Sequence, residues 1–90
     1  MKNNQIINNG LSSLNQAIKS LSDLDLTVIG FYQDLLSKPT IEIEHHPKCK
    51  KYIATGQAAY YRHEGLYRFG QFELEGCRIV WKERNTSRLH

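Results

Sequence analysis

The sequence predicts an α+β fold, in which a long N-terminal helix, or a helical hairpin, precedes a small antiparallel β-sheet of about four strands. Apolar residues recur at steps of three and four through residues 1–38, which is the period of a helix face. From residue 39 onward, apolar and polar residues alternate in short runs separated by turn residues, which is typical of strands. The chain of 90 residues is short enough to form a single domain.

The helical segment, residues 1–38, carries an apolar seam with the spacing of a coiled coil. The seam consists of Ile7, Leu11, Leu14, Ile18, Leu21, Val28, Tyr32 and Leu35. Asp25 interrupts the seam, and Pro39 ends the helix because proline excludes its predecessor from the helical region. Since a core of this size is small, the seam predicts a homo-oligomer, with a dimer as the expected form.

Local signals in the same segment indicate a break near Ser22. Ser22 followed by Asp25 resembles a capping box, and Gly30 costs about 1 kcal/mol relative to alanine in a helix interior. Two arrangements therefore fit. One is a continuous helix of about 30 residues that pairs with its copy in a second chain. The other is a helical hairpin packed on the domain's own sheet, in which case the apolar face is simply core.

Residues 39–84 are typical of an antiparallel β-meander. The predicted strands cover residues 40–44, 57–62, 66–74 and 77–82. Glu75 and Gly76 fit a tight hairpin turn, and the parity of the aromatic residues switches at Gly70, which predicts a bulge there. Residues 85–90 are predicted to form a frayed tail.

The stretch HHPKC, residues 45–49, contains residue types that bind zinc. A structural zinc needs four converging ligands, and the missing ones would have to come from the distant His63 and Cys77. We therefore predict no metal and no cofactor, and expect Pro47 to turn the chain after the first strand. The lysines beside Cys49 would lower its pKa, but no orienting third group is recognisable. The sequence therefore predicts no enzyme.

The charges are unevenly distributed along the chain. Residues 1–37 contain two Lys and three Asp, whereas residues 38–90 contain ten Lys or Arg and six Glu. An acidic partner would therefore meet the C-terminal part. No apolar run is long enough to span a bilayer, and the N-terminus lacks the apolar region of a signal peptide. With two cysteines expected as reduced thiols, the sequence indicates the cytoplasm and no membrane partner.

Basic and aromatic residues are interleaved in the predicted sheet region. Cations neutralise phosphates and ring faces stack on unpaired bases, so this mixture on a sheet can hold a single strand. The candidate binding residues are Lys48, Lys50, Lys51, Tyr61, Arg62, Tyr67, Arg68, Arg78 and Lys82. Phe69, Phe72 and Trp81 are expected to form the core.

The sequence thus predicts a small non-enzymatic regulator that binds nucleic acid through a basic, aromatic β-sheet. The alternative is an inhibitor or adaptor that docks its sheet edge or aromatic face on a single target protein.

Overall fold

A computed structural model describes residues 2–33 and 38–85, with side chains described from residue 13 onward. The elements are α1 (Lys2–Asp23), β1 (Val28–Tyr32), β2 (Thr40–Ile43), α2 (Pro47–Ala54), β3 (Ala59–Glu64), β4 (Tyr67–Leu74) and β5 (Cys77–Arg84). The strands form one sheet in the order β1-β2-β5-β4-β3. Neighbouring strands are antiparallel except β2 and β5, which are parallel. The fold is α+β, but with a mixed five-stranded sheet in place of the predicted antiparallel sheet of four.

The prediction of a long helix or helical hairpin over residues 1–38 is wrong. Helix α1 ends at Asp23, and Asp25 adopts a left-handed backbone conformation with φ of 61° that turns the chain away. Strand β1 follows, with the sequence VIGFY. Its β-branched and aromatic residues favour a strand, so the helical spacing through this region is coincidental. In the described residues, no helix is long and apolar enough to cross a membrane.

The predicted seam divides between two elements and is not one helix face. Leu14 and Leu21 are buried with Ala17 in the protein's own core, while Ile18 remains 38% exposed. Val28 and Tyr32 belong to β1. The side chains of the other three seam residues, Ile7, Leu11 and Leu35, lie outside the described part. The coiled coil therefore loses its basis, whereas the homo-oligomer stays a prediction.

The stretch HHPKC begins helix α2, where the sequence had predicted only a turn. His46 is the N-cap, and its Nδ1 accepts a hydrogen bond of 3.0 Å from the backbone N–H of Lys48. Pro47 occupies the first helical turn, where its fixed φ suits the helix and its missing N–H costs nothing. Cys49 then faces the core, where it is completely buried.

Both helices contribute to a core on one face of the sheet. The buried apolar residues are Leu14, Ala17, Leu21, Leu26, Ile41, Ile43, Cys49, Ala58, Cys77, Ile79 and Trp81. Trp81 is the largest of them, and it lies opposite Gly70 in the β4–β5 register. That register continues through Gly70 without a shift, so the predicted bulge in β4 is wrong. The irregularity lies in the neighbouring β3, between Tyr60 and Arg62.

The predicted frayed tail begins with a residue that is held in place. Asn85 is only 6% exposed, and its backbone N–H donates a hydrogen bond of 2.7 Å to the carbonyl of Leu66. The remainder of that tail, residues 86–90, lies outside the described residues.

Candidate nucleic-acid interface

The sheet face turned away from the helices is here called the open face. Cys77, Ile79 and Trp81 of β5 are buried, so the alternating Arg78 and Lys82 point to the opposite side. Cross-strand partners share a face, which extends the assignment to the other strands. The side chains of the open face are those of Tyr32, Thr40, Glu42, Ala59, Tyr61, Arg62, Glu64, Tyr67, Phe69, Gln71, Glu73, Arg78, Val80, Lys82 and Arg84. Every one of these side chains is half-buried or exposed.

Four aromatic rings lie on the open face: Tyr32 lies on the edge strand β1, and the other three lie together on β3 and β4. The rings of Tyr61 on β3 and Phe69 on β4 are 6.3 Å apart between centroids. Tyr67 lies two positions before Phe69 on the same strand, and Tyr61 and Tyr67 are about equally exposed, at 40% and 41%. Phe69 was expected in the core, and that prediction is wrong. Phe69 lies two positions after Tyr67 and therefore on the same side of the strand, whereas Phe72 lies on the opposite, inward-facing side. This alternation could have assigned Phe69 to the open face.

Two cations of the central strand β5 lie over tyrosine rings. The guanidinium of Arg78 is 4.7 Å from the ring centroid of Tyr61, and its Nε donates a hydrogen bond of 2.5 Å to Oε1 of Gln71. The Arg78 side chain therefore crosses β4 to reach β3. The ammonium group of Lys82 lies 4.2 Å from the ring centroid of Tyr67. Each such cation–π pair is worth about 0.5–1 kcal/mol at an exposed position.

The third ring is covered from the neighbouring strand. The guanidinium of Arg62 lies 5.3 Å from the ring centroid of Phe69 and also forms a salt bridge with Glu64. A second carboxylate of the open face, that of Glu73, pairs with Lys38 at 2.6 Å. These salt bridges are exposed, so they are weak and can exchange with solvent or ligand.

A row of cations follows the central strand of the open face. Arg78, Lys82 and Arg84 all point outward from β5, and none forms a salt bridge with a carboxylate of the described residues. Alternate residues of a strand are about 6.8 Å apart, so Lys82 and Arg84 have a spacing similar to successive phosphates of an extended single strand. Arg84 was not among the binding residues predicted from the sequence, although it lies two positions after Lys82 and therefore on the same side of the strand.

Three of the sequence-predicted residues do not join this face. Lys48, Lys50 and Lys51 lie on α2, which packs against the opposite side of the sheet through Cys49. The Nζ of Lys48 donates a hydrogen bond of 2.5 Å to the carbonyl of Leu24, just beyond the end of α1. The prediction that these lysines share one surface with the tyrosines is therefore wrong.

Arg68 also points away from the open face. Its Nε and Nη2 both lie 3.2 Å from Oε2 of Glu83, and the Oε1 atom accepts hydrogen bonds from Tyr60 and Trp81 at 3.0 and 2.8 Å. Burial alone would raise the pKa of Glu83, but the hydrogen bonds from Trp81, Tyr60 and Arg68 outweigh it and hold that pKa below its usual range. These contacts hold the end of β5 in place, and the guanidinium of Arg68 is engaged with Glu83 instead of facing the open face.

The residues considered from the sequence for a metal site or a reactive thiol have other roles in the structure. Cys49 and Cys77 are free cysteines buried in the core, and burial raises the pKa of both thiols. The expected lowering of the Cys49 pKa by neighbouring lysines is therefore wrong. Within the described residues, no group of three or more His, Cys, Asp or Glu side chains is arranged to hold a metal ion.

The comparison with protein families gives one match. The chain belongs to a family described as "Uncharacterised protein", whose family model matches residues 1–84. The match covers every helix and strand of the described fold and all residues of the open face. No curated protein and no solved structure matches the chain.

Proposed function

We propose that the protein is a small non-enzymatic regulator that binds single-stranded nucleic acid on its open face. The observation that carries the proposal is that the rings of Tyr61, Tyr67 and Phe69 share this face with the cations of β5, which form no salt bridge within the described residues, while the helices pack on the other face. We place this activity in the cytoplasm, since two unpaired cysteines suit a reducing compartment.

The balance of charge and rings favours single strands over duplexes. Glu64 and Glu73 already pair with cations, and the third carboxylate of the open face, Glu42, accepts a hydrogen bond of 3.2 Å from the Tyr32 hydroxyl. The electrostatic attraction of the open face therefore rests mainly on three residues of β5, Arg78, Lys82 and Arg84. Ring stacking contributes about 1–3 kcal/mol per base, but only where a base face is available. Because a duplex keeps its bases stacked inside, it can use the cations and not the rings.

The direct test is fluorescence anisotropy with labelled single-stranded and duplex oligonucleotides over a range of salt concentrations. Engagement of the three β5 cations implies a log–log salt slope of about −2 on single strands, from about −0.7 per phosphate contact. We expect tighter binding to the single strand than to the duplex. No binding of either oligonucleotide at about 100 μM protein, the weak end of ordinary non-specific affinity, would refute the proposal.

Truncation of a ring tests the stacking contribution. Tyr67→Ala should weaken single-strand binding by about 1–3 kcal/mol and leave duplex binding nearly unchanged. Ile29→Ala is the matched control, because Ile29 is a 58% exposed apolar residue on β1, outside the open face. Equal losses from the two variants would show that the Tyr67 ring has no specific role.

A second candidate function is docking of one target protein on the β1 edge. Strand β1 lies at the edge of the sheet and exposes Ile29, Phe31 and Tyr32 by 58%, 47% and 61%. It contains no charged residue, whereas the other edge strand, β3, contains Arg62 and Glu64. Uncharged edges accept an added strand more readily than charged ones. Wild-type capture of one protein from nuclease-treated lysate, abolished by Phe31→Asp and retained by Tyr67→Ala, would favour this alternative.

A further inference from the structure

We infer that the three ring–cation pairs of the open face are the unbound form of a stacking site for single-stranded nucleic acid. On binding, a base replaces each cation on its ring, and the released cation contacts a neighbouring phosphate. The inference rests on the proposed function and adds to it the mode of recognition, which is exchange of cation for base at each ring.

The positions of the cations support this exchange. Lys82 stands opposite Phe69 in the β4–β5 register, yet its ammonium group lies over the ring of Tyr67, one alternate position along β4. Arg78 stands opposite Glu73 and extends to the ring of Tyr61 on β3. In both cases a flexible side chain lies along the sheet and occupies the ring surface that a base would need.

The energies allow the replacement. An exposed cation–π pair contributes about 0.5–1 kcal/mol, which is less than the 1–3 kcal/mol of a stacked base. The displaced cation also regains an electrostatic partner, because each stacked base brings its own phosphate. A duplex offers phosphates without free base faces, so its phosphates can contact the cations where they lie, but no base replaces a cation on its ring. Exchange is therefore expected with single strands only.

Lys82 and Tyr67 provide a spectroscopic test of this exchange. A methylene group held over a ring is shifted upfield by the ring current, so the ε-methylene protons of Lys82 should resonate upfield in the free protein. Tyr67→Leu should abolish this shift without any ligand, which verifies the assignment. The ε-methylene protons of Lys50, exposed on α2, serve as the internal control.

The titration uses oligodeoxythymidylate of about 12 nucleotides, within the site sizes of sheet-based single-strand binders. We expect the Lys82 protons to move downfield to ordinary lysine positions as the Tyr67 ring protons move upfield, with Lys50 unchanged. A duplex of equal length should leave the Lys82 shift in place. Binding of the single strand with the Lys82 protons unmoved would overturn the inference and leave the proposed function standing. Displacement of Lys82 by the duplex would also overturn the inference, and absence of all binding would refute both.

Discussion

Substitution of Gly70 by alanine tests the packing at the centre of the sheet. A Cβ atom at Gly70 would lie 2.1 Å from Cζ2 of Trp81, and two further ring atoms would be within 2.6 Å. To reach an ordinary contact of 3.4 Å the indole must retreat by about 1.3 Å. It cannot do so freely, because its Nε1 donates a hydrogen bond of 2.8 Å to Glu83 and its ring packs against Tyr60 and Phe72.

The expected loss of stability follows from these contacts. Overpacking in a close-packed core costs about 1–3 kcal/mol, and a lost hydrogen bond to the charged Glu83 adds about 1.5 kcal/mol or more. Gly70→Ala should therefore lower the free energy of unfolding by about 3 kcal/mol. For a domain of this length, that corresponds to a fall in Tm of about 12 °C or more.

The assay is urea denaturation followed by tryptophan fluorescence. Trp81 is the only tryptophan in the chain, so the signal reports directly on the perturbed site. Gly30→Ala is the control, because a Cβ there would meet Glu42 Oε1 at 3.4 Å, an ordinary contact on an edge strand. If the two alanine variants unfold within about 0.5 kcal/mol of each other, the packing of Gly70 against Trp81 is refuted.

Two further predictions concern a half-buried carboxylate and a strained loop residue. Glu83→Gln should lower the free energy of unfolding by about 1–3 kcal/mol at pH 7, whereas Glu73→Gln, which removes an exposed salt bridge, should change it by less than about 1 kcal/mol. Since the folded-state pKa of Glu83 is lowered, its ionised form stabilises the protein above the usual glutamate pKa, and this stabilisation is lost at lower pH. The difference in free energy of unfolding between wild type and Glu83→Gln should therefore narrow as pH falls below about 4. A difference that does not change with pH would contradict this prediction. Asp25→Leu should lower stability by about 1 kcal/mol, because leucine tolerates a φ of 61° poorly. A rise in Tm instead, with light scattering showing a larger oligomer, would restore the coiled-coil prediction.

The strands that could be predicted are those with a clear two-residue period. The sequence placed β2, β4 and β5 within two residues of their observed bounds, and it placed the short aromatic strand β3 two residues too early, at 57–62. The Glu75–Gly76 turn joins β4 to β5 as expected. The backbone at both turn residues has positive φ, of 51° and 76°. These elements depend on local patterns that tertiary contacts did not override.

The errors in the fold concern three features: strand β1, helix α2 and the pairing of β2 with β5. The stretch VIGFY continued the helical spacing of α1 by coincidence, and its strand propensity was outweighed by the apparent heptad. The signals for α2 were present, since Pro47 suits the first turn of a helix and Cys49 and Tyr52 follow at helical spacing. The parallel pairing of β2 with β5 joins distant segments, and no local pattern indicates it.

The candidate site could be predicted in part. Tyr61, Arg62, Tyr67, Arg78 and Lys82 were selected by residue type, and the sheet brings all five to one face. The lysines of α2 were selected by the same criterion and lie on the other side. Which face a cation occupies depends on strand register and helix packing, and composition does not determine either one.

The central claim is that the open face, and not basic charge in general, binds nucleic acid. Two double variants remove equal charge from the two sides: Arg78→Gln with Lys82→Gln on the open face, and Lys50→Gln with Lys51→Gln on α2. Fluorescence anisotropy with oligodeoxythymidylate should show the salt slope falling by about 1.4 for the open-face variant and unchanged for the α2 variant. Equal losses of slope and affinity in the two variants would contradict the claim.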